Sequence, residues 1–152
     1  MKTTITALIF AALPTLALSG GTHDMALGSP AHHKATRTVE VVMKEDYNAE
    51  LVLVYEPKEL TFEAGETVRL HIINKGEEVH EFVMDTKEEN AKHKAMMEKF
   101  PEMEHDDPNA VRLEPGEEAE IIWTFGKPGS YEFACLIPGH YEGGMHGPLT
   151  VN

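Results

Sequence analysis

The chain has 152 residues, a length suited to one domain, and a hydrophobic fraction of 41% that is enough for a packed core. Lys and Arg number 13 against 26 Asp and Glu, for a formal charge of -13. Such a surface repels nucleic acid and anionic lipid, which excludes both as expected partners and leaves basic proteins or plain solubility as what the charge serves.

Lys2 precedes an apolar run from Ile5 to Leu18 that contains Pro14, and Ala17-Leu18-Ser19 offers the small-x-small pattern read by signal peptidase. The run is short for a membrane span. It predicts a signal peptide over 1–19 and an exported, periplasmic protein without membrane insertion. Residues 20–37 are rich in Gly, Ala, Ser, Thr and His and show no apolar period, which predicts a flexible extension carrying His and Met. From Thr38 the texture changes, and one domain is expected over 38–152.

Within that domain Val39, Val41 and Met43 alternate with polar residues, and Leu51 to Tyr55 is an apolar run that ends before Pro57. Val68, Leu70 and Ile72 alternate after the turn-like Ala64-Gly65-Glu66, and Val79 to Met84 is a further strand. Lys87 to Phe100 is polar, free of Gly and Pro, and followed by Pro101, which predicts an inserted helix. Ile121, Trp123 and Phe125 share one strand face, and Tyr131, Phe133 and Cys135 share another, with the turn Gly126-Lys127-Pro128-Gly129 between them. Leu149 to Val151 closes the chain. Seven to eight short strands with turns between them predict an all-β Greek-key sandwich with one helical insert.

Cys135 is the one cysteine. In an oxidising compartment cysteines come in pairs, so a lone thiol is an inert core residue, an intermolecular partner or a metal ligand. Its neighbours favour the last. Cys135-Leu-Ile-Pro-Gly-His140-Tyr-Glu-Gly-Gly-Met145 holds a thiol, an imidazole and a thioether on a loop that leaves a strand. The best further ligand is His80, at a strand start just after the turn Asn74-Lys75-Gly76-Glu77. Two imidazoles, a thiolate and a weak thioether suit copper in both Cu(I) and Cu(II). Structural zinc prefers four strong nitrogen or sulfur donors, and a thioether is a poor one.

These residues resemble the cupredoxins, with a match that runs from about Thr38 to the end. It is carried by Asn74…His80-Glu81-Phe82, by Ala119 to Phe125, by Ser130 to Cys135, and by Cys-x4-His-x4-Met. The Cys-to-Met spacing is similar to that of rusticyanin-like members, and the extra His and Met are similar to periplasmic copper-tolerance cupredoxins. The resemblance implies that His80, Cys135 and His140 form the equatorial plane of a type 1 copper and Met145 its axial ligand. Many members carry Asn after the first His ligand, where it steadies the ligand loop, and Glu81 stands there in this chain.

Other donors are set aside. His71 is expected to face outward from its strand, and His146 to lie on the surface near the site. His93, Met96, Met97 and Phe100 are spaced along one helical face, expected to serve packing. His23, Met25, His32 and His33 offer weaker additional copper binding at the N-terminal segment. Catalytic copper enzymes need His-rich sites, and the chain has no His-x-His. The expected function is one-electron transfer linked to copper tolerance, without enzyme activity and with a redox or copper-handling protein as partner. The alternative is copper sequestration or delivery.

Overall fold

The computed structural model describes residues 25–101 and 106–152. The expected signal peptide, residues 20–24 with His23, and residues 102–105 lie outside the described residues. The described strands are β1 (Gly28–Pro30), β2 (Arg37–Glu45), β3 (Leu53–Glu56), β4 (Leu60–Phe62), β5 (Thr67–Asn74), β6 (His80–Asp85), β7 (Ala110–Leu113), β8 (Glu118–Phe125), β9 (Gly129–Ala134) and β10 (His146–Val151). The helix α1 (Lys87–Lys99) lies between β6 and β7.

The strands form two five-stranded sheets, ordered β1-β8-β5-β2-β3 and β4-β10-β9-β6-β7. Pairing is antiparallel except for β2 with β5 and β4 with β10. Period-2 alternation sends Val41 and Met43, Val68, Leu70 and Ile72, and Ile121, Trp123 and Phe125 inward from the first sheet. Leu60 and Phe62, Phe82 and Met84, Tyr131 and Phe133, and Leu149 and Val151 meet them from the second. Each fully buried large side chain contributes about 1.5–3 kcal/mol. Phe62 and Phe125 stack across the core at 3.9 Å. The sandwich is the one expected. Its ten described strands exceed the seven or eight expected because β1, β4 and β7 are three or four residues long and show no period.

Residues 25–37, expected as part of a flexible extension, run along the sandwich instead. Leu27 is fully buried, its carbonyl accepts the Trp123 indole N–H at 3.3 Å, and β1 adds to the edge of β8. Gly28 permits this approach: at φ 129° a Cβ there would lie 2.0 Å from the Thr124 carbonyl oxygen.

Helix α1 begins at Thr86, whose hydroxyl accepts the Glu89 N–H at 3.2 Å. It covers the outer face of the second sheet, where Met97 packs with Val83, Ala134 and Leu136. The expected packing face from His93 to Phe100 is narrower than its spacing implies. Met97 is buried, while Met96 and Phe100 are 50% and 59% exposed, because the sheet takes only the Asn90–Met97 stripe.

Candidate metal centre

Asn74 closes β5 and is fully buried. Its amide N–H groups donate to the carbonyls of Glu78 (2.8 Å) and Leu113 (2.9 Å), and its side-chain oxygen accepts the Gly76 N–H (2.9 Å). The turn is thereby tied at three points and delivers His80 at the start of β6, fully enclosed.

Cys135 follows the last residue of β9 and is also fully buried. The loop after it folds back through Ile137 O to His140 N (3.0 Å) and Gly139 O to Gly143 N (3.0 Å). Gly139, at φ 90°, makes this turn. The loop then closes on itself. Met145 donates its N–H to the His140 carbonyl (3.0 Å), and its own carbonyl accepts the Cys135 N–H (3.0 Å). Met145 is therefore locked beside both, with its side chain fully buried in the same core cluster as Cys135.

His80, Cys135 and His140 converge from these two places, their ligand atoms all within 4.8 Å of one another. The Nδ1 atoms of His80 and His140 lie 3.3 Å apart, and Cys135 Sγ lies 3.4 Å from His140 Nδ1. Both imidazoles thus present Nδ1 inward and leave Nε2 for outer partners. His80 Nε2 lies 2.9 Å from Glu45 Oε1, and His140 Nε2 lies 3.5 Å from Glu78 Oε2.

Burial pushes the Cys135 thiol up to about 12, although the backbone N–H groups of Glu81 (3.3 Å) and Ile137 point at its sulfur and work the other way. Burial, and next the neighbouring His80, hold His140 below the ordinary histidine value. A cation entering here would meet one neutral thiol and a neutral His140 ring. Burial raises Glu45, but the Glu77 backbone N–H and His80 outweigh it and hold the carboxyl below its usual value.

Glu81, where many cupredoxins have Asn, accepts the Leu136 N–H on Oε2 at 3.3 Å. A carboxylate here steadies the loop next to Cys135, the task expected of Asn. Tyr55 donates its hydroxyl to the Glu81 carbonyl and stands edge-on to Phe82 and Phe133.

The set-aside donors lie elsewhere. His71 pairs with Glu118 on the outer face (3.2 Å), and exposed His146 stacks on Tyr141 with ring centroids 4.2 Å apart. His33 is bonded to the Thr67 hydroxyl (2.9 Å), Met25 packs on the core, and His32 is exposed. Sequence reasoning missed Glu45 and Tyr55, and a Glu between Lys44 and Asp46 carries no sign of burial.

Two imidazoles, a buried thiol and a buried thioether suit copper, since soft sulfur holds Cu(I) and imidazole holds Cu(II). Among the described residues this is the one cluster of three or more His, Cys or acidic groups close enough for a metal. No helix among them is long and apolar enough to cross a membrane.

Comparison with known proteins agrees with this geometry. The copper-resistant cuproprotein CopI of Rubrivivax gelatinosus is 46% identical over 129 residues, covering 84% of this chain and 74% of the relative. The CopI of Pseudomonas aeruginosa is 36% identical, covering 85% and 84%. Among solved structures, the dithionite-reduced auracyanin of Roseiflexus castenholzii superposes with a TM-score of 0.63 at 28% identity, covering 78% of this chain and 99% of that one. The family model described as a cupredoxin-like domain matches residues 23–151. The chain belongs to the cupredoxin-like domain family.

Proposed function

We propose that this chain is an exported, periplasmic type 1 copper protein. It passes single electrons through a centre formed by His80, Cys135, His140 and Met145, and it serves copper tolerance. The observation that carries this reading is the convergence of one buried thiol and two imidazole Nδ1 atoms within 4.8 Å. Bound copper supplies a one-electron Cu(I)/Cu(II) couple.

The chain's own residues do the rest. Cys135 Sγ would release its proton to solvent as copper binds and present a thiolate. Two sheets and a self-bonded loop hold the donors, so little need move between the two oxidation states. His140, with 12% of its side chain exposed, brings the edge of the centre to the surface. Met145 would supply a weak thioether donor that tunes the couple. Exposed Glu78, beside His140, and its neighbour Glu77 suit a basic redox or copper-handling partner. The CopI relatives, named for copper resistance, support the tolerance role, and the likeness to an auracyanin solved in its dithionite-reduced form supports a redox-active centre.

A copper titration of the mature protein, followed by optical and electron-spin spectra, tests the reading. One tightly held copper with an intense visible thiolate-to-copper band is expected. Cys135→Ser should abolish that band and keep the sandwich folded by circular dichroism. Intense absorption persisting in the variant would overturn the site.

Sequestration or delivery is the second reading. Met96 is half exposed and His32 is exposed, so packing does not account for them. Additional, weaker copper would favour this reading, and binding that stops at one copper would favour the carrier.

A further inference from the structure

We infer that Glu45 is a positioning residue of the centre, a buried anion that fixes His80 through Nε2 and biases the site toward Cu(II); this rests on the copper centre proposed above. Glu45 ends β2 in one sheet, and His80 begins β6 in the other. The carboxylate therefore bridges the two sheets directly behind the ligand.

Its side chain is 4% exposed and that of His80 is 0% exposed. Oε1 lies 2.9 Å from His80 Nε2 and accepts the Glu78 N–H (3.2 Å), while Oε2 accepts the Glu77 N–H (2.8 Å). The turn that carries His80 thus also fastens the carboxylate. A Cβ at residue 76 would lie 2.5 Å from Glu45 Oε2 and 2.9 Å from His80 Nε2, so any side chain there would have to displace the carboxylate or the ring. The lid, the carboxylate and the ring form one packed unit.

Three consequences follow from chemistry. An acceptor on Nε2 keeps that nitrogen protonated and leaves Nδ1 as the lone-pair donor facing Cys135 and His140. A carboxylate acceptor makes the imidazole a stronger donor than a neutral acceptor would. A negative charge on this side chain, 4% exposed and in contact with the ring, also stabilises Cu(II), which carries one more positive charge than Cu(I). His140 has the matching arrangement in weakened form. Its Nε2 faces Glu78 at 3.5 Å, and that carboxylate is 62% exposed. Glu78 is the internal control.

The test compares Glu45→Gln, Glu45→Asp and Glu78→Gln by reduction potential, with copper content and Cu(II) electron-spin spectra alongside. Glu45→Gln should still bind one copper. It should change the ratio of Cu(I) to Cu(II) affinity at least tenfold in favour of Cu(I), a rise of about 59 mV for one electron. Glu45→Asp should recover most of that change, and Glu78→Gln should give less than half of it. Equal shifts in Glu45→Gln and Glu78→Gln, or none in Glu45→Gln, would overturn the inference.

Nitrogen-15 NMR of wild-type apoprotein and Cu(I) protein reads the bond without any substitution, which guards against a variant that fails to fold. His80 should carry its proton on Nε2, in a strong hydrogen bond. A proton on Nδ1 instead would overturn the inference. A wild-type protein that binds no copper would break the proposed function, and the apoprotein signal would still decide the Glu45–His80 bond.

Discussion

His80 and His140 offer the same atom to the same point from opposite kinds of surroundings. His80 is sealed, with Gly76 packed over it, a carboxylate behind it and both sheets around it. His140 rides on a loop whose donors are at most ten residues apart, and 12% of its side chain meets solvent. The difference separates two tasks. In the proposed copper centre the sealed side would set which oxidation state is preferred, because charge there is less screened than at the open side. The open side would be where an electron or a metal ion enters over the shortest distance, since His140 is the partly exposed ring.

The largest test of that contrast removes each ring in turn. His140→Gly should lose the visible copper band and regain it when millimolar imidazole is added, because the hole opens to water. His80→Gly should lose the band and not regain it, because Gly76 and Glu45 close the route. Equal rescue of both variants, read by the optical spectrum, would erase the distinction.

A second test uses pH and concerns Cys135, which belongs with the sealed side. Burial raises its thiol to about 12, so the apoprotein holds that proton at neutral pH and copper must displace it. The lowered His140 value means that ring is already neutral there. The Cys135 proton should therefore contribute about a tenfold rise in apparent Cu(II) affinity for each pH unit between roughly 7 and 9. Competition titrations measure the slope, and a flat line would show a thiolate already formed in the apoprotein.

Smaller effects are expected where the loop and the sealed core meet. Met145→Leu should keep copper bound and raise the reduction potential, since a weak thioether donor would be lost. Loss of copper in this variant, with retention in His140→Ala, would reverse the two roles. Leu27→Ala should leave the spectrum unchanged and cost about 2–5 kcal/mol in denaturant unfolding, because the cavity opens beside Trp123, far along the chain from the loop.

Much of this molecule follows from local pattern. Alternating Val68, Leu70 and Ile72, or Ile121, Trp123 and Phe125, can bury one face only as strands. The stretch from Lys87 is helical because it has good helix formers, a Thr cap and a stop at Pro101. The Cys135–Met145 segment was legible for the same reason, since three donors within one loop need no distant partner to be recognised. Local pattern says less about short or charged pieces. β1, β4 and β7 have three or four residues each, too few for a period, and β1 hid in a stretch that reads as linker.

Sheet-on-sheet packing, not local pattern, places the charges. Glu45 sits between Lys44 and Asp46 and Glu81 follows a candidate ligand, and both look like surface acids by composition. Each is enclosed because a residue far along the chain supplies its hydrogen bonds: Glu77, Glu78 and His80 for the first, Leu136 for the second. A carboxylate stays in a core only when such partners offset its lost hydration. Those partners exist only once the two sheets have packed. The sequence alone therefore determines the strands and the loop donors, while the packing of sheet on sheet determines which acids lie behind them.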